Sequence, residues 1–407
     1  MNQIRETRME QARAIVDRGI VTNILPDRES FLERLASQTP MRIYIGADPT
    51  STSLHLSHAK NYMLLEEFRQ LGHEVIVLFG DFTARIGDPT DRESARKQLT
   101  GEEVTANVSK WLDQIRPLMD FDVKENPPQV KFNADWLAGL TMENIIELTS
   151  MVTVQRMLER DMFERRIREQ KPIHVHEFMY PLMQGYDSVA MDVDVELCGT
   201  DQTFNALMGR TLLNKLKNKD KFIVTVNLME NPKTGELMSK SRGTGVFLDA
   251  SAFDMYGSIM AQPDEMIELF LINNTRVSLS DVAEIMREKN PRDAKMRTAF
   301  EVTQIFYGYE EAHIAQERFV RLVQCGEADE KIPVVSSGQT EPTVFSLVRN
   351  ALPIDSYSNN KIHRLIEQGS IKIDGRQYRD RGLKISIPPE GLELKVGKKL
   401  WFKVIIK

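Results

Sequence analysis

Two short apolar runs constrain the N-terminal half of the chain. Arg42-Ile43-Tyr44-Ile45-Gly46 is β-rich and closed by glycine, and Glu74-Val75-Ile76-Val77-Leu78-Phe79-Gly80 is apolar almost throughout. A strand with no polar face belongs in a sheet covered on both sides. Between the runs, from about Leu54 to Leu71, apolar residues recur at the three-to-four spacing of a helix. Strand, helix and strand within about forty residues form a βαβ unit, which implies a parallel sheet with a right-handed crossover. A second α/β stretch repeats the pattern: a helix after Pro181, a strand around Val193–Leu197 and the run Phe222–Val226.

The 407 residues suggest two to three domains. Residues 1–40 read as two amphipathic helices broken near Leu25-Pro26-Asp27. Residues 92–180 read as mainly helical, interrupted by a turn and strand at Pro127–Phe132. Residues 250–325 look all-helical, and Cys325–Pro342, rich in Gly, Ser, Pro and acid, reads as a linker. The expected class is α/β: a Rossmann-like parallel-sheet domain (1–248), a helical domain (249–325), a linker (326–340) and a small α+β domain (341–407). Two cysteines, Cys198 and Cys325, make neither a disulfide framework nor a zinc site and suit a reducing cytoplasm. No metal site, membrane span or secretory signal is expected. Residues 341–407 carry 13 Lys and Arg against 7 Asp and Glu, whereas the rest of the chain carries 40 against 52. A basic tail on an acidic body suits a polyanion partner or a merely soluble appendage.

After the first strand the chain reads Gly46-Ala47-Asp48-Pro49-Thr50-Ser51-Thr52-Ser53-Leu54-His55-Leu56-Ser57-His58. A helix beginning near Leu54, capped by Ser51 to Ser53, would present an anion site at the carboxyl end of a parallel strand. His55 and His58, three apart, point the same way from its first turn. There they can donate to a phosphate as its charge grows, unless they merely decorate a surface turn. Downstream, Gly235-Glu236-Leu237-Met238-Ser239-Lys240-Ser241-Arg242-Gly243 reads as a loop whose Lys240 can reach polyphosphate or simply face solvent. Tyr180, Gln184 and Asp187 form a polar stripe on an otherwise apolar helix, with Pro181 fitting its first turn. Such a stripe either satisfies buried partners or receives a ligand.

The pair His55-Leu56-Ser57-His58 and Leu237-Met238-Ser239-Lys240-Ser241 resembles the two signatures of class I aminoacyl-tRNA synthetases, usually written HIGH and KMSKS. Tyr44–Thr50, Ile86-Gly87-Asp88-Pro89-Thr90, Tyr180–Asp187 and Gly199-Thr200-Asp201-Gln202 extend the resemblance, over nearly the whole chain, to the bacterial-type tyrosyl-tRNA synthetases. The resemblance implies activation of L-tyrosine by ATP, carried as its Mg2+ complex, then transfer to tRNA(Tyr), with no tightly bound cofactor. It assigns Tyr180, Gln184 and Asp88 to the α-ammonium of tyrosine and Tyr44 and Asp187 to its hydroxyl. Thr83, Asn133 and Gln202 fall near the bound amino acid. Asp48, Thr50, Gly199 and Asp201 fall with the nucleotide, and Arg92, Arg96 and Lys240 join the histidines at the phosphates. Family members are homodimers, and residues 360–375 resemble an RNA-binding module shared with a small-subunit ribosomal protein.

Three positions depart from the family pattern. Leu237 replaces the first lysine of KMSKS, Ser57 replaces the small glycine of HIGH, and Cys198 replaces a glycine before Thr200-Asp201-Gln202. Rival readings are an inactive synthetase-like RNA binder, a ligase for tryptophan, and a nucleotidyltransferase outside the synthetases.

Overall fold

Six strands build the sheet of the N-terminal part: β1 (Val21–Leu25), β2 (Arg42–Ala47), β3 (Glu74–Phe79), β4 (Gln129–Phe132), β5 (Val195–Gly199) and β6 (Phe222–Val226). Their order is β1-β6-β5-β2-β3-β4. All neighbours are parallel except β1, which runs antiparallel to β6 at the edge. The apolar run of β3 pairs in register with β2, from Arg42 opposite Glu74 to Ala47 opposite Phe79. Val75 through Phe79 are all buried, as a strand covered on both faces requires. From β2 the chain steps outward through β3 to β4, then returns to build β5 and β6 on the other side. The carboxyl ends of β2 and β5 therefore flank the switch point, where open α/β sheets bind their ligands.

The computed structural model describes residues 2–87, 99–238, 245–324, 333–353, 357–397 and 400–407, the side chains from residue 5 onward. The chain forms two compact units, residues 1–309 and 310–407. Residues 252–309 pack into the first unit: Asn274 Nδ2 donates to the Leu56 carbonyl at 2.8 Å, and Arg18 donates to the carbonyls of Ile272 and Thr275. The helical run Pro291–Phe319 breaks at Gly308, whose φ of 80° and ψ of 170° leave helical space.

Three local expectations need correction. The segment read as two helices holds β1 between the helices Asn2–Val16 and Arg28–Ala36. Val21 to Leu25 pair with β6, bury Ile24, and stop at Pro26. The helix expected from Leu54 is Leu56–Gln70, capped by His55 and not by Ser51 to Ser53. Backbone bonds from Leu56 N to Val246 O (3.0 Å) and from Leu248 N to Leu54 O (2.9 Å) hold residues 54–56 extended. The helix expected after Pro181 spans Val175–Met191, which leaves Pro181 in its interior and not in its first turn. Glu177 starts it early, accepting from the His174 amide at 2.9 Å and pairing with Arg166 at 2.6 Å.

In the second unit a five-stranded sheet has the order β7-β11-β10-β8-β9. The strands are β7 (Val334–Ser337), β8 (Ile371–Ile373), β9 (Arg376–Tyr378), β10 (Leu392–Val396) and β11 (Leu400–Ile406). The stretch expected as a linker thus contains β7, which pairs in parallel with β11. Asp374 and Gly375, at φ of 46° and 78°, make the two-residue turn between β8 and β9. The helices Val344–Ala351 and Asn359–Glu367 cover the sheet through Leu347, Val348, Ile362 and Ile366. Lys361, Arg364, Lys372, Arg376, Arg379 and Arg381 stay exposed on this unit.

Candidate active site

One cavity of about 1070 Å3 opens at the switch point of the first sheet. Its walls come from β2, the turn Asp48–Ser53, the start of the Leu56–Gln70 helix, the Val175–Met191 helix and the end of β5. Asp187 and the pair His55 and His58 line the same hollow, with Tyr44, Gln184 and Gly199 among the residues between. Tyr180, Gln184 and Asp187 all face it, so the stripe read from spacing lines a cavity.

Asp187 lies deep, with 3% of its surface exposed. Its Oδ1 accepts from Trp136 Nε1 at 2.8 Å and its Oδ2 from Asn133 Nδ2 at 3.4 Å. Burial pushes its carboxyl well above the usual range; these two donors oppose that, and the nearby carboxylates of Glu196 and Asp48 reinforce it. Tyr44 is equally buried, and its hydroxyl contacts Ser188 Oγ at 3.0 Å. A carboxylate and a phenol meeting at the closed end of a cavity suit a ligand that ends in a hydroxyl.

Asp48 accepts from Tyr180 Oη at 2.9 Å and Thr83 Oγ1 at 2.7 Å. Asn133 Nδ2 donates to Thr83 Oγ1 at 3.0 Å, completing an anionic corner suited to an ammonium group. Gly80 makes room for it, since a Cβ there would lie 2.0 Å from Asp48 Oδ1. Gln184 Nε2 donates to Glu196 Oε1 at 3.2 Å, and Gln184 Oε1 accepts from Asn205 at 2.9 Å.

Residues 36–324 match the family described as tRNA synthetases class I (W and Y). Two relatives described as Tyrosine--tRNA ligase, from Thermotoga maritima and Carboxydothermus hydrogenoformans, are 38% and 37% identical to the chain, each over 97% of both chains. The chain belongs to the tyrosine–tRNA ligase family. A C-terminally truncated mitochondrial tyrosyl-tRNA synthetase from Aspergillus nidulans shares the fold with a TM-score of 0.65 at 22% identity. That match covers 79% of this chain and all of the other.

The family's first signature sits at the cavity's other end. The rings of His55 and His58 lie 3.9 Å apart between centroids. His58 Nδ1 accepts from the His55 amide at 3.3 Å, which leaves the proton of a neutral ring on Nε2. Burial lowers His55 to about 4 and His58 well below its usual value, and Lys60 adds to both shifts. Lys60 is itself buried, donates to Asn61 Oδ1 at 2.6 Å, and is lowered to about 7, chiefly by burial.

These shifts set a pH dependence. The unfolded chain takes up protons on histidine near pH 6.5, before the folded chain does, so stability falls as pH drops from about 6.5 toward 4. The midpoint of urea unfolding should therefore fall more between pH 7.5 and 5 in the wild type than in a His55→Gln/His58→Gln variant. Equal slopes in the two proteins would contradict half-buried histidines held neutral.

Thr50, Thr83, Asn133, Gly199 and Gln202 line the cavity. Asp201 does not. It is exposed, and its carboxylate folds over Gly199, where a Cβ would meet Oδ1 at 2.4 Å. Asp88, Arg92, Arg96 and Lys240 lie outside the described residues. Of the three departures, Cys198 and Leu237 line the cavity. Ser57 Oγ donates to the Leu228 carbonyl at 3.1 Å, Cys198 packs against Ala206 and Ile223, and Leu237 stands at the rim, 44% exposed.

Sequence reasoning missed Trp136, Ser188, Glu196 and Lys221. Lys221 and Glu196 form a fully buried ion pair behind Tyr44. Glu196 in an apolar strand of a doubly covered sheet was the available signal, since such a charge requires a partner.

Proposed function

We infer that the chain activates L-tyrosine with ATP, giving tyrosyl-adenylate and pyrophosphate, and then transfers tyrosine to the terminal adenosine of tRNA(Tyr). The observation that carries this reading is the single cavity with Asp187 and Tyr44 at one end and His55 and His58 at the other. In this reading the phenol meets Asp187 and Tyr44, and the ammonium meets Asp48, Tyr180 and Gln184. Asp88 joins them on sequence resemblance. ATP enters as its Mg2+ complex beside Thr50 and Gly199.

The carboxylate of tyrosine attacks the α-phosphorus in line, so no general base is needed. Catalysis rests on positioning and on stabilising charge on the phosphoryl oxygens. His55 and His58 supply neutral N–H donors. Lys240, Arg92 and Arg96 supply cations, on the strength of sequence alone.

The exposed basic residues of the second unit give tRNA a phosphate-tracking surface. The reading places the protein in the cytoplasm; among the described residues no helix is long and apolar enough to cross a membrane. Met142, Ile146, Val154, Ile167 and Val175 are 52–80% exposed, an apolar set that supports a homodimer. An Ile146→Glu/Val175→Glu variant should sediment as a monomer where the wild type sediments as a dimer; an unchanged sedimentation profile would assign the dimer contact elsewhere.

ATP–pyrophosphate exchange with each of the twenty amino acids tests the function. Exchange with tyrosine alone is expected. Exchange with tryptophan would place the chain in the other branch of its family, and silence throughout would favour an RNA binder without catalysis.

A further inference from the structure

At the hydroxyl end of the cavity, with Glu196 in its wall and Lys221 behind, lies a charge pair that the reaction above leaves unused. Lys221 has no exposed side-chain surface and Glu196 has 2%. Lys221 Nζ donates to Glu196 Oε2 and, at 2.7 Å, to Ser188 Oγ. Its space is reserved: a Cβ on Gly209 would lie 2.6 Å from Nζ and 2.8 Å from Ser188 Oγ. Burying two charges is costly, and an apolar pair of similar volume often serves stability as well or better. The pair therefore calls for a reason other than stability.

Ser188 provides one. Its oxygen accepts from Lys221, so its own hydrogen must go elsewhere. Tyr44 Oη lies at 3.0 Å, and Glu196 Oε2, already engaged by Lys221, lies at 3.5 Å. The shorter contact wins on hydroxyl geometry. Ser188 thus donates to Tyr44. Glu196 also lies within reach of the Tyr44 hydroxyl, but Lys221 and Gln184 already engage its two oxygens, so the hydrogen of Tyr44 is left for the cavity that Tyr44 lines. Asp187 takes a donor on each oxygen, Trp136 on Oδ1 and Asn133 on Oδ2, which offsets the cost of its burial and makes it an acceptor. A ligand hydroxyl has one hydrogen to give, which goes to Asp187, and lone pairs to receive the hydrogen of Tyr44.

We propose that Lys221 is a specificity-determining positioning residue: through Ser188 it holds Tyr44 as a hydrogen-bond donor toward the substrate hydroxyl, opposite the acceptor Asp187. This rests on the assignment of the tyrosine hydroxyl to that end of the cavity. Without Lys221, the hydroxyl of Ser188 turns to Glu196 and accepts from Tyr44. Tyr44 then shows the substrate a lone pair, and two acceptors face one hydrogen. Phenylalanine, lacking the hydroxyl, does not feel the change.

The test measures kcat/KM for tyrosine and for phenylalanine by pyrophosphate exchange in wild type, Lys221→Met and Lys221→Met/Ser188→Ala/Glu196→Met. The ratio should fall by about tenfold or more in the single variant, a loss on the scale of a mispaired substrate hydroxyl. It should return to within about threefold of wild type in the triple variant, where neither Ser188 nor Glu196 claims the hydrogen of Tyr44. If Lys221→Met does not fold, the loss is sought in Lys221→Met/Glu196→Gln, which carries no unpaired charge and keeps an oxygen for Ser188 to turn to. An unchanged ratio, equal losses for both amino acids, or a loss that the triple variant fails to reverse would overturn the proposal. A ratio lost in Asp187→Ala but intact in Lys221→Met overturns the relay alone, and one intact in both overturns the hydroxyl assignment itself.

Discussion

Asp187→Ala should lower the kcat/KM ratio of tyrosine over phenylalanine by about a hundredfold or more. The carboxylate is the acceptor at the closed end of the cavity, and its own ordering comes from Trp136 and Asn133. A site that hydrogen-bonds a substrate hydroxyl rejects the analogue lacking it by about 10^4–10^5-fold, a range for which tyrosyl-tRNA synthetases are themselves the standard example, whereas an apolar pocket manages only about 10^2. Removing the carboxylate moves this site from the first regime toward the second. It also leaves Trp136 Nε1 and Asn133 Nδ2 without their acceptor, which adds a stability loss separable by thermal unfolding. The measurement is pyrophosphate exchange over a range of both amino acids. A ratio within about threefold of wild type would remove Asp187 from hydroxyl recognition.

His58→Ala should reduce the rate of tyrosine activation by about 10^2–10^3-fold while leaving the KM for tyrosine nearly unchanged. Its Nδ1 is occupied by the His55 amide, so Nε2–H is the donor left for a phosphoryl oxygen. Because desolvation lowers its pKa well below the usual value, His58 stays neutral and donates from Nε2 throughout the neutral range. Single-turnover formation of tyrosyl-adenylate separates this loss from changes in binding. A rate within a few-fold of wild type, or a loss expressed in KM alone, would make the histidine pair a helix cap and no more.

The parts of the fold legible in the sequence are those written in local pattern. The run Val75–Phe79 had to be a strand buried on both faces, and the Tyr180-Gln184-Asp187 stripe survives because helical spacing does not depend on where the helix starts. Pro181 misled on that start, since the Glu177 capping bonds outweigh a proline six residues into the helix. β1 was missed because five residues at a sheet edge carry little periodic signal, and their pairing with β6 spans two hundred residues of sequence. The Lys221–Glu196 pair was hidden for the same reason. β5 and β6 bring the two charges together through parallel pairing, which no window of sequence displays. Asp48 and Asp201, grouped together by the resemblance, point in different directions. The turn after β2 bends Asp48 toward Thr83 and Tyr180, whereas Asp201 faces outward over Gly199.

A crystal structure with a non-hydrolysable tyrosyl-adenylate analogue tests the account most directly. The phenolic oxygen should lie within hydrogen-bond distance of both Asp187 and Tyr44, with the phosphoryl mimic beside His58 Nε2. An analogue whose phenol points away from Asp187, or whose phosphoryl group sits outside the hollow lined by His55 and His58, would contradict it.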